Sequence, residues 1–412
     1  EENYPDVAMY YSKGHTFVNI LKACIKLKDL KTGLQMHVEA LRTRLFFRDP
    51  FVGSSLVDMY AKCGSLSIAE EVFEMLPVKD VVSWTTLIGG YVEHGHEEEA
   101  LKCLEEMEDK GFSPNPITYV CCLKACGFII AVEKGEKLHI DIVKKGFLET
   151  NVFVGSALVY MYAKFAFFDV AGQICSDLPI RNVVSWNALI AAYAENGHSK
   201  SAFQCLQSME LDGVFPDCIS LMCVLKSCSN IRDIEKGQDI HVDIERKGFL
   251  KSNLVIGNTL VDMYSKCGLL ASAQKVFDNL PMKDVVSWTV LIGGYAEHGH
   301  GNEAIKCFEQ MQQDCISPNP VTFICLLKAC GSIGAADKGE EIHADIVKEG
   351  LLKTDILVAN ALIDMYAKCG AFQKAEAIFD ELLIRTVVSW TSLISGYAQH
   401  GHGEKALEYF DK

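Results

Sequence analysis

A repeat with a fixed period of 102 residues constrains this 412-residue chain more than any other feature. The segment KDVVSWTTLIGGYVEHGH begins at residue 79, and diverged copies begin at residues 181, 283 and 385. The four tryptophans of the chain keep the same spacing, at Trp84, Trp186, Trp288 and Trp390. A fixed internal period predicts an array of stacked structural units rather than a set of unrelated globular domains.

The spacing of apolar residues within the repeat predicts pairs of α-helices. Trp84, Leu87, Ile88 and Tyr91 fall at i, i+3, i+4 and i+7, which is one face of a helix. Gly95 follows as a residue that suits a helix end, because glycine tolerates positive φ. The next segment, EEEALKCLEEMEDKGFSPN, repeats the helical spacing and then breaks at a glycine and a proline. Each unit is therefore predicted to be two antiparallel helices joined by a tight turn.

Three length variants of this hairpin, of 36, 31 and 35 residues, alternate within each period. The predicted repeats are 14–49, 50–80, 81–115, 116–151, 152–182, 183–217, 218–253, 254–284, 285–319, 320–355, 356–386 and a partial 387–412. Residues 1–13 are interpreted as an N-terminal extension or capping segment. Because such hairpins cannot bury their apolar faces alone, they stack. We therefore expect an all-α fold, a right-handed α-solenoid superhelix of about eleven and a half helix-turn-helix repeats with a concave groove.

The composition limits the classes of partner. A net charge of −15 argues against a non-specific nucleic-acid coat and against a binder of anionic membranes, because both need a basic surface. No apolar run is long enough to span a bilayer, so no membrane partner is expected. The 17 cysteines fall at helical core positions, which favours buried free thiols in a reducing compartment. The acidic start EENYPDVAMYY is neither a signal nor a transit peptide, so a cleaved targeting segment would be missing from this sequence.

Two histidine patterns resemble metal-binding or catalytic motifs. H-x-H pairs recur at His94/His96, His298/His300 and His400/His402. Each pair lies at a predicted turn with no recurring cysteine or carboxylate at ligand spacing, so a turn role is favoured over zinc binding. His37 and Glu39 match the first half of the zinc-deaminase motif H-x-E…P-C-x-x-C, but the chain has no P-C-x-x-C. We therefore predict no catalytic site, no metal site and no cofactor in this chain.

Two positions of each repeat are polar and need an explanation. The last residue is nearly always Asn or Asp, which are also the best N-caps for the helix that follows. The fifth residue is Ser, Thr or Asn in the 31- and 35-residue repeats, and capping gives no reason for this variation. In the 36-residue repeats it is apolar, at Val18, Val120, Met222 and Ile324. The polar pairs are Ser54/Asp80, Thr85/Asn115, Ser156/Asn182, Asn187/Asp217, Asn258/Asp284, Thr289/Asn319 and Asn360/Thr386, followed by Thr391. One polar pair per repeat along a groove suits recognition of a linear polymer.

The repeat lengths, the first-helix pattern VVSW-T-LI-GY and the ending G-x-x-P-N/D closely resemble pentatricopeptide repeat proteins of the PLS class. The resemblance covers about residues 14–412. It implies binding of single-stranded RNA with one base per repeat, in which the fifth and last residues hydrogen-bond the base edge. It also implies that apolar residues at the second position sandwich the base. These stacking residues are Val82, Ile117, Val184, Ile219, Val255, Val286, Val321, Leu357 and Val388.

The family's recognition code, carried over pair by pair, implies a target sequence. Taken in chain order, the seven pairs imply G, A, A, U, U, A and a pyrimidine, and Thr391 implies a purine. Thr386 departs from the usual Asn or Asp, which leaves only the pyrimidine preference at its repeat. The 36-residue repeats are expected to read little. The predicted target is therefore about 5′-GANAUNUANYR-3′, where N marks a 36-residue repeat.

Lysines at position thirteen are candidate phosphate ligands. They are Lys62, Lys164, Lys266 and Lys368, one in each 31-residue repeat, whereas the 35-residue repeats have Glu or Gln there. Four phosphate contacts would give a shallow salt dependence, with a slope of about −3 at roughly −0.7 per contact on single strands. The alternative is that they are ordinary exposed lysines near helix ends.

The resemblance further implies a role in selecting organellar transcripts for C-to-U editing, in a mitochondrion or chloroplast. In that class the deamination is performed by a C-terminal DYW-type zinc domain, which this chain lacks. The chain ends within a repeat, so we expect a longer natural protein, and we interpret this chain as a specificity module rather than an enzyme. Organellar editing factors docking on the 36-residue repeats are further candidate partners. Two rival hypotheses remain: a scaffolding solenoid that binds peptides in the same groove, and an editing enzyme that binds zinc.

Overall fold

The computed structural model describes residues 7–412, with side chains from residue 14 onward, and this range contains 28 α-helices and no β-strand. The prediction of an all-α fold is confirmed. The helices are arranged as successive hairpins, the architecture of an α-solenoid. The chain divides into two compact units, one ending at Pro216 and the other formed by Asp217–Lys412. Each unit is described by itself below.

The first unit contains six hairpins and two additional short helices. Its helices are α1 (Val7–Leu27), α2 (Leu30–Arg42), α3 (Leu45–Arg48), α4 (Pro50–Lys62), α5 (Leu66–Glu74), α6 (Val81–Glu93), α7 (Glu97–Asp109), α8 (Pro116–Ile129), α9 (Val132–Lys144), α10 (Phe147–Thr150), α11 (Val152–Lys164), α12 (Phe168–Asp177), α13 (Val183–Glu195) and α14 (Ser199–Leu211). Helix α1 begins at Val7 and continues into the first predicted repeat as far as Leu27, so residue 14 is not a helix boundary. Residues 1–6 of the predicted N-terminal segment lie outside the described residues.

The second unit has the same plan. Its helices are α15 (Cys218–Ile231), α16 (Ile234–Arg246), α17 (Phe249–Ser252), α18 (Leu254–Lys266), α19 (Leu270–Asp278), α20 (Val285–Glu297), α21 (Gly301–Gln313), α22 (Pro320–Ile333), α23 (Ala336–Lys348), α24 (Leu351–Thr354), α25 (Ile356–Lys368), α26 (Phe372–Glu381), α27 (Val387–Gln399) and α28 (Gly403–Asp411). In both units each 36-residue repeat ends in an extra four-residue helix, namely α3, α10, α17 or α24. The two-helix description of that repeat was therefore incomplete.

The first helix of each repeat from 50 onward starts at the first residue of that repeat, because the preceding residue caps it. Asp80 shows the arrangement: its carboxylate accepts from the backbone N–H of Ser83 at 2.8 Å, and the Ser83 hydroxyl accepts from the Asp80 N–H in return. This reciprocal capping box stabilises a helix start. The other side-chain caps at repeat junctions are Asp49, Asn115, Asn151, Asn182, Asp217, Asn253, Asp284, Asn319, Asp355 and Thr386. The predicted capping role of the last residue is confirmed.

Within each unit the first helices form one continuous layer. Each first helix contacts its own second helix and the first helix of the next repeat, as α4 contacts both α5 and α6. The contact between α4 and α6 is close because Gly90 faces Ala61, where a Cβ on the glycine would lie 2.5 Å from the alanine Cβ. Close approach of helices at small residues brings the exposed faces of neighbouring first helices side by side.

The repeated tryptophans belong to the core between the hairpins. Trp84 and Trp288 are buried, and their rings meet Phe73 and Phe277 of the preceding second helix edge-on, with ring centroids 4.6 Å apart in both cases. Such edge-to-face pairs contribute about 0.5–1.5 kcal/mol beyond area burial. The predicted packing role of Trp84 is confirmed. The tryptophan recurs in each 102-residue period because it fills the core between hairpins.

The periodic cysteines are also core residues. Cys24, Cys126, Cys228 and Cys330 are at most 3% exposed, and all 17 cysteines are free thiols. Burial raises the pKa of Cys126 to about 11. A thiol with a raised pKa is a poor nucleophile at neutral pH. These residues therefore act as small apolar side chains.

A histidine–tyrosine contact joins every 36-residue repeat to the 31-residue repeat that follows it. The ring Nδ1 lies 2.9–3.0 Å from the hydroxyl oxygen in all four copies. The pairs are His37/Tyr60, His139/Tyr162, His241/Tyr264 and His343/Tyr366. This contact explains why His37, which matches half of a deaminase motif, recurs at the same place in a helix. Desolvation by burial lowers the pKa of each of the four histidines below 6.5.

The four half-buried histidines predict a loss of stability in mild acid. Because their pKa is lower in the folded than in the unfolded chain, the unfolded chain binds more protons once the pH falls below about 6.5. We expect the thermal midpoint to fall between about pH 7 and pH 5 and to fall less in a chain with all four histidines replaced by Gln. Thermal unfolding followed by circular dichroism across this range measures the difference.

A control variant replaces His94, His298 and His400, which lie in exposed turns, with Asn, the residue found at position 196. This variant should keep the pH dependence of the unmodified chain. An unchanged pH dependence in the four-Gln variant would contradict the assignment of the effect to the buried pairs.

Candidate nucleic-acid interface

The second unit contains one cavity in which the predicted base-reading and stacking residues meet. Its volume is about 480 Å³, and Asn258, Asp284, Val255 and Val286 line it. These are the fifth and last residues of repeat 254–284 and the second-position residues on either side of it. Lys266, a predicted phosphate ligand, lines the same cavity. Asn258 and Asp284, which are 26 positions apart in sequence, therefore lie together on the layer of first helices.

The polar pair in this cavity is hydrogen-bonded and incompletely satisfied. The Asn258 amide Nδ2 donates to the Asp284 carboxylate at 3.4 Å. Asn258 is 6% exposed, and its Oδ1 has no hydrogen-bond partner among the described residues. A buried acceptor without a partner costs free energy, which a ligand N–H aimed at it would recover.

Asp284 is ionised at neutral pH. Burial acts to raise the pKa of its carboxyl group, but hydrogen bonds from the backbone and hydroxyl of Ser287 and from the Asn258 amide outweigh burial and lower it. An ionised carboxylate only accepts hydrogen bonds. The pair thus presents acceptors, which suits a base edge that donates.

Three further pairs converge in the same way. A direct hydrogen bond joins Thr85 to Asn115 at 3.3 Å, Ser156 to Asn182 at 3.3 Å and Asn360 to Thr386 at 3.2 Å. The Asn360 Oδ1 lacks a partner among the described residues, as the Asn258 Oδ1 does. The convergence depends on the cap, because the last residue of one repeat is held at the start of the next first helix.

The remaining predicted residues are placed differently. Thr289 reaches Asn319 only through the Thr322 hydroxyl, with an oxygen–oxygen distance of 2.7 Å between the two threonines. No hydrogen bond joins Ser54 to Asp80 within residues 14–412, and Ser54 donates to the Pro50 carbonyl at 3.0 Å instead.

Asn187, Asp217 and Thr391 are the remaining predicted reading residues. Asn187 lies in the first compact unit and Asp217 in the second. Thr391 is exposed and donates to the Val388 carbonyl at 3.0 Å.

The second-position residues are aliphatic side chains exposed to solvent. All nine predicted stacking residues are between 46% and 65% exposed. Two members of this set were missed, because Phe51 and Phe153 occupy the second position of repeats 50–80 and 152–182 and are 74% and 67% exposed. Their position in the repeat was the signal that would have found them. A flat aromatic ring stacks on a base more favourably than a branched aliphatic side chain does.

The four position-thirteen lysines are paired with carboxylates. Lys62, Lys266 and Lys368 bind the Asp one turn earlier on the same helix at 3.1, 2.8 and 2.6 Å, and Lys164 binds Glu195 at 2.8 Å. Exposed ion pairs of this kind contribute about 0–1 kcal/mol, so a phosphate can replace the carboxylate at small cost. This geometry is compatible with the predicted phosphate role, but each lysine would have to exchange its carboxylate partner for the phosphate.

The histidine pairs lie in turns, as predicted. His94 follows the C-terminus of α6, and His96 precedes α7. Among residues 14–412 no three His, Cys, Asp or Glu side chains are grouped as metal ligands. None of the helices in the described part of the chain has both the length and the apolar character that crossing a membrane requires.

Family models match most of the repeats. The model described as PPR repeat family matches residues 79–127, 181–230 and 283–332, and the model described as PPR repeat matches residues 54–81, 258–285, 358–385 and 388–412. The chain belongs to the pentatricopeptide repeat family. Its resemblance to that family is thus confirmed, and the helical hairpins are pentatricopeptide repeats.

Curated relatives come from Arabidopsis thaliana. Pentatricopeptide repeat-containing protein At5g27110 is 36% identical over 96% of this chain and 57% of its own length. The chloroplastic protein At1g11290 is 34% identical over 97% of this chain and 49% of its own length. The mitochondrial protein At2g03380 is 34% identical over 96% of this chain and 57% of its own length. The chain therefore spans about half the length of these relatives.

Solved structures of pentatricopeptide repeat proteins have the same fold. PPR10 in complex with an 18-nt psaJ RNA element matches with a TM-score of 0.72 and 19% identity, over 91% of this chain and 56% of that one. PPR10 from maize matches with a TM-score of 0.52 and 22% identity, over 98% of this chain and 68% of that one.

Asp284 both caps helix α20 and accepts a hydrogen bond from Asn258. Two substitutions of Asp284 should therefore differ in their effect on stability. Asp284→Asn keeps an oxygen that accepts from the Ser287 N–H, so stability should change little. Asp284→Ala removes the cap and the partner of Asn258, and should cost about 1–2 kcal/mol. Chemical denaturation, with hydrogen exchange at the first turn of α20, measures both variants. Equal destabilisation by Asn and Ala would contradict the capping role.

Proposed function

We propose that this pentatricopeptide repeat chain binds single-stranded RNA in a sequence-specific manner, with one base at each repeat that carries a polar fifth residue. The cavity of repeat 254–284 carries this proposal. It combines a hydrogen-bonded polar pair, an unsatisfied buried acceptor and two exposed aliphatic side chains, which are the features needed to read a base edge and to hold both faces of the base.

The proposed target is about 5′-GANAUNUANYR-3′, read 5′ to 3′ along the repeats. Its U at repeat 254–284 follows from Asn258 and Asp284, because the Asn258 Oδ1, which has no partner among the described residues, suits the N3–H donor of uracil. The alternation of 35-, 36- and 31-residue repeats supports assignment to the PLS class. We propose that the chain selects sites for C-to-U editing and is not itself the deaminase, and that editing factors dock on the 36-residue repeats.

Similar proteins support parts of this proposal. The PPR10 structure contains an 18-nt RNA element, and the relatives At1g11290 and At2g03380 are chloroplastic and mitochondrial proteins. We accordingly propose an organellar location. The acidic net charge favours one rival function, a scaffold that binds peptides in the same groove.

Binding to the predicted 11-mer tests the proposed function. The chain should bind the 11-mer more tightly than a shuffled 11-mer of the same composition, because base contacts rather than net charge would dominate the affinity. Fluorescence anisotropy with both labelled RNAs measures the ratio. Equal affinity for the two RNAs would reject sequence-specific recognition and leave the scaffold as the better hypothesis.

A change of code tests individual residues. Replacing Thr85 with Asn and Asn115 with Asp gives repeat 81–115 the pair found at Asn258/Asp284, and should move its preference from A to U. We expect a roughly tenfold reversal between RNAs that differ only at that base, since a good bidentate contact contributes about 1–3 kcal/mol of discrimination. The matched control is Thr86→Asn, which changes the adjacent residue outside the pair. Unchanged selectivity in the double variant would refute the assignment of these two residues.

A further inference from the structure

The 36-residue repeats carry a lysine that the base-reading code does not use. It occupies position nine of the first helix in all four copies: Lys22, Lys124, Lys226 and Lys328. The 31-residue repeats have Asp or Tyr at this position, and the 35-residue repeats have Gly, Ala or Ser. Positions five, nine and thirteen follow one another at i+4 spacing, so they share a face of the helix. The lysine therefore lies on the same face as the base-reading positions of neighbouring repeats.

These lysines differ from the position-thirteen lysines in their charge environment. All four are exposed, and among the described residues Lys22, Lys124 and Lys226 have no carboxylate within ion-pair distance. Lys328 has a long contact of 3.9 Å with Glu297, and its side chain is 53% exposed. The position-thirteen lysines, in contrast, are held at 2.6–3.1 Å by carboxylates. A phosphate would displace no short ion pair from a position-nine lysine.

Two of these lysines line cavities in the second unit. Lys226 lines the cavity of Asn258 and Asp284. Lys328 lines a neighbouring cavity of about 390 Å³, together with Arg232, Lys266, His298, Ser229, Asn230 and Glu297. Lys266 lines both cavities, so the cation-rich cavity adjoins the proposed base site.

The cation-rich cavity is suited to a phosphate group. It collects three permanent positive charges, Arg232, Lys266 and Lys328, against the carboxylate of Glu297 and that of Asp262, which pairs with Lys266 at 2.8 Å, in a chain whose net charge is −15. Asn230 and Ser229 add neutral hydrogen-bonding groups. Arg232 is at the C-terminus of α15 in a left-handed conformation with φ of 55°, and Lys28 occupies the same place after α1 with φ of 53°. Guanidinium and ammonium groups around one cavity favour the oxygens of a phosphate group as a ligand.

We propose that the 36-residue repeats hold the RNA backbone: their position-nine lysines bind phosphodiester groups, and the cavity of Arg232, Lys266 and Lys328 holds the phosphate beside the base read by Asn258 and Asp284. This inference rests on the proposed function and adds a role for the repeats that carry no reading pair. The base-reading repeats would then supply selectivity, and the 36-residue repeats would supply affinity that does not depend on sequence.

A charge-matched pair of variants tests the proposal. The first replaces Lys22, Lys124, Lys226 and Lys328 with Gln, and the second replaces Lys102, Lys144, Lys306 and Lys348, exposed lysines of the second helices, with Gln. Both lose the same charge. Affinity for the predicted and the shuffled 11-mer is measured from about 50 to 200 mM salt. In the first variant the slope of log affinity against log salt should become less steep by about 2, at roughly 0.7 for each of Lys124, Lys226 and Lys328, because repeat 14–49 with Lys22 has no base in the 11-mer. In the second variant the slope should not change.

Selectivity separates this proposal from the proposed function. The first variant should lose affinity for both RNAs alike and keep the ratio between them. If the unmodified chain binds the predicted and the shuffled 11-mer with equal affinity, and both affinities fall when the position-nine lysines are replaced, the base code fails and the backbone role stands. Equal effects of the two variants, or no RNA binding at all, would overturn the backbone role.

Two further arms complete the test. Replacing the four lysines with Arg should restore the salt slope, which shows that charge rather than packing matters, and thermal unfolding of every variant checks the fold. Competition with inorganic tripolyphosphate distinguishes a free anion from the RNA backbone. Tripolyphosphate binding that is lost in an Arg232→Gln/Lys328→Gln variant, with unchanged RNA affinity, would assign the cavity to a free anion and overturn the proposal.

Discussion

The capping hydrogen bond at each repeat junction is the interaction on which the rest of the structure depends. Where Asn or Asp ends a repeat, its side chain accepts from the first turn of the next helix, and this contact determines which residue becomes the first of that helix. A helix started one residue later would turn every side chain by about 100°. The exposed second position, the buried fifth position and the lysines at positions nine and thirteen all take their places from this start.

The cap also joins stability to recognition in one side chain. Asn and Asp are nearly equivalent as N-caps, since both offer an oxygen to the backbone. They differ in the second group they present, because Asn adds an N–H donor and Asp adds a charged acceptor. A repeat can therefore exchange Asn115 for Asp without losing its helix start, and the proposed base preference can change at little cost in stability. The need for a capping oxygen accounts for the restriction of the last position to Asn, Asp and Thr.

The proposed division of labour between repeats follows from what their first helices expose. The polar fifth residue is at most 9% exposed in six of the eight repeats that have one. Its polar atoms are therefore shielded from water, and a base that leaves them without a hydrogen bond costs free energy. The 36-residue repeats place an apolar residue there and an exposed lysine one turn later. Buried polar pairs suit discrimination between bases, whereas exposed cations suit contact with a uniform backbone. The extra four-residue helix of these repeats positions the following cap, because it ends at the capping residue, as α10 ends before Asn151.

The sequence by itself determined the all-α class, the starts of the first helices from residue 50 onward and the capping residues, because helical periodicity and N-cap chemistry are local. It also places Phe51 and Phe153 at the second position of their repeats, where their exposure follows from the same helical register as that of the aliphatic residues. The four-residue helices could not be predicted, because a single turn such as Phe147–Thr150 has no periodicity to detect. Only the tertiary structure decided that Asn258 meets Asp284, that the Asn258 oxygen is left without a partner, and that Arg232, Lys266 and Lys328 line one cavity. These are contacts between different helices, and their distances depend on how closely helices pack, as at Gly90 and Ala61, which no local pattern specifies.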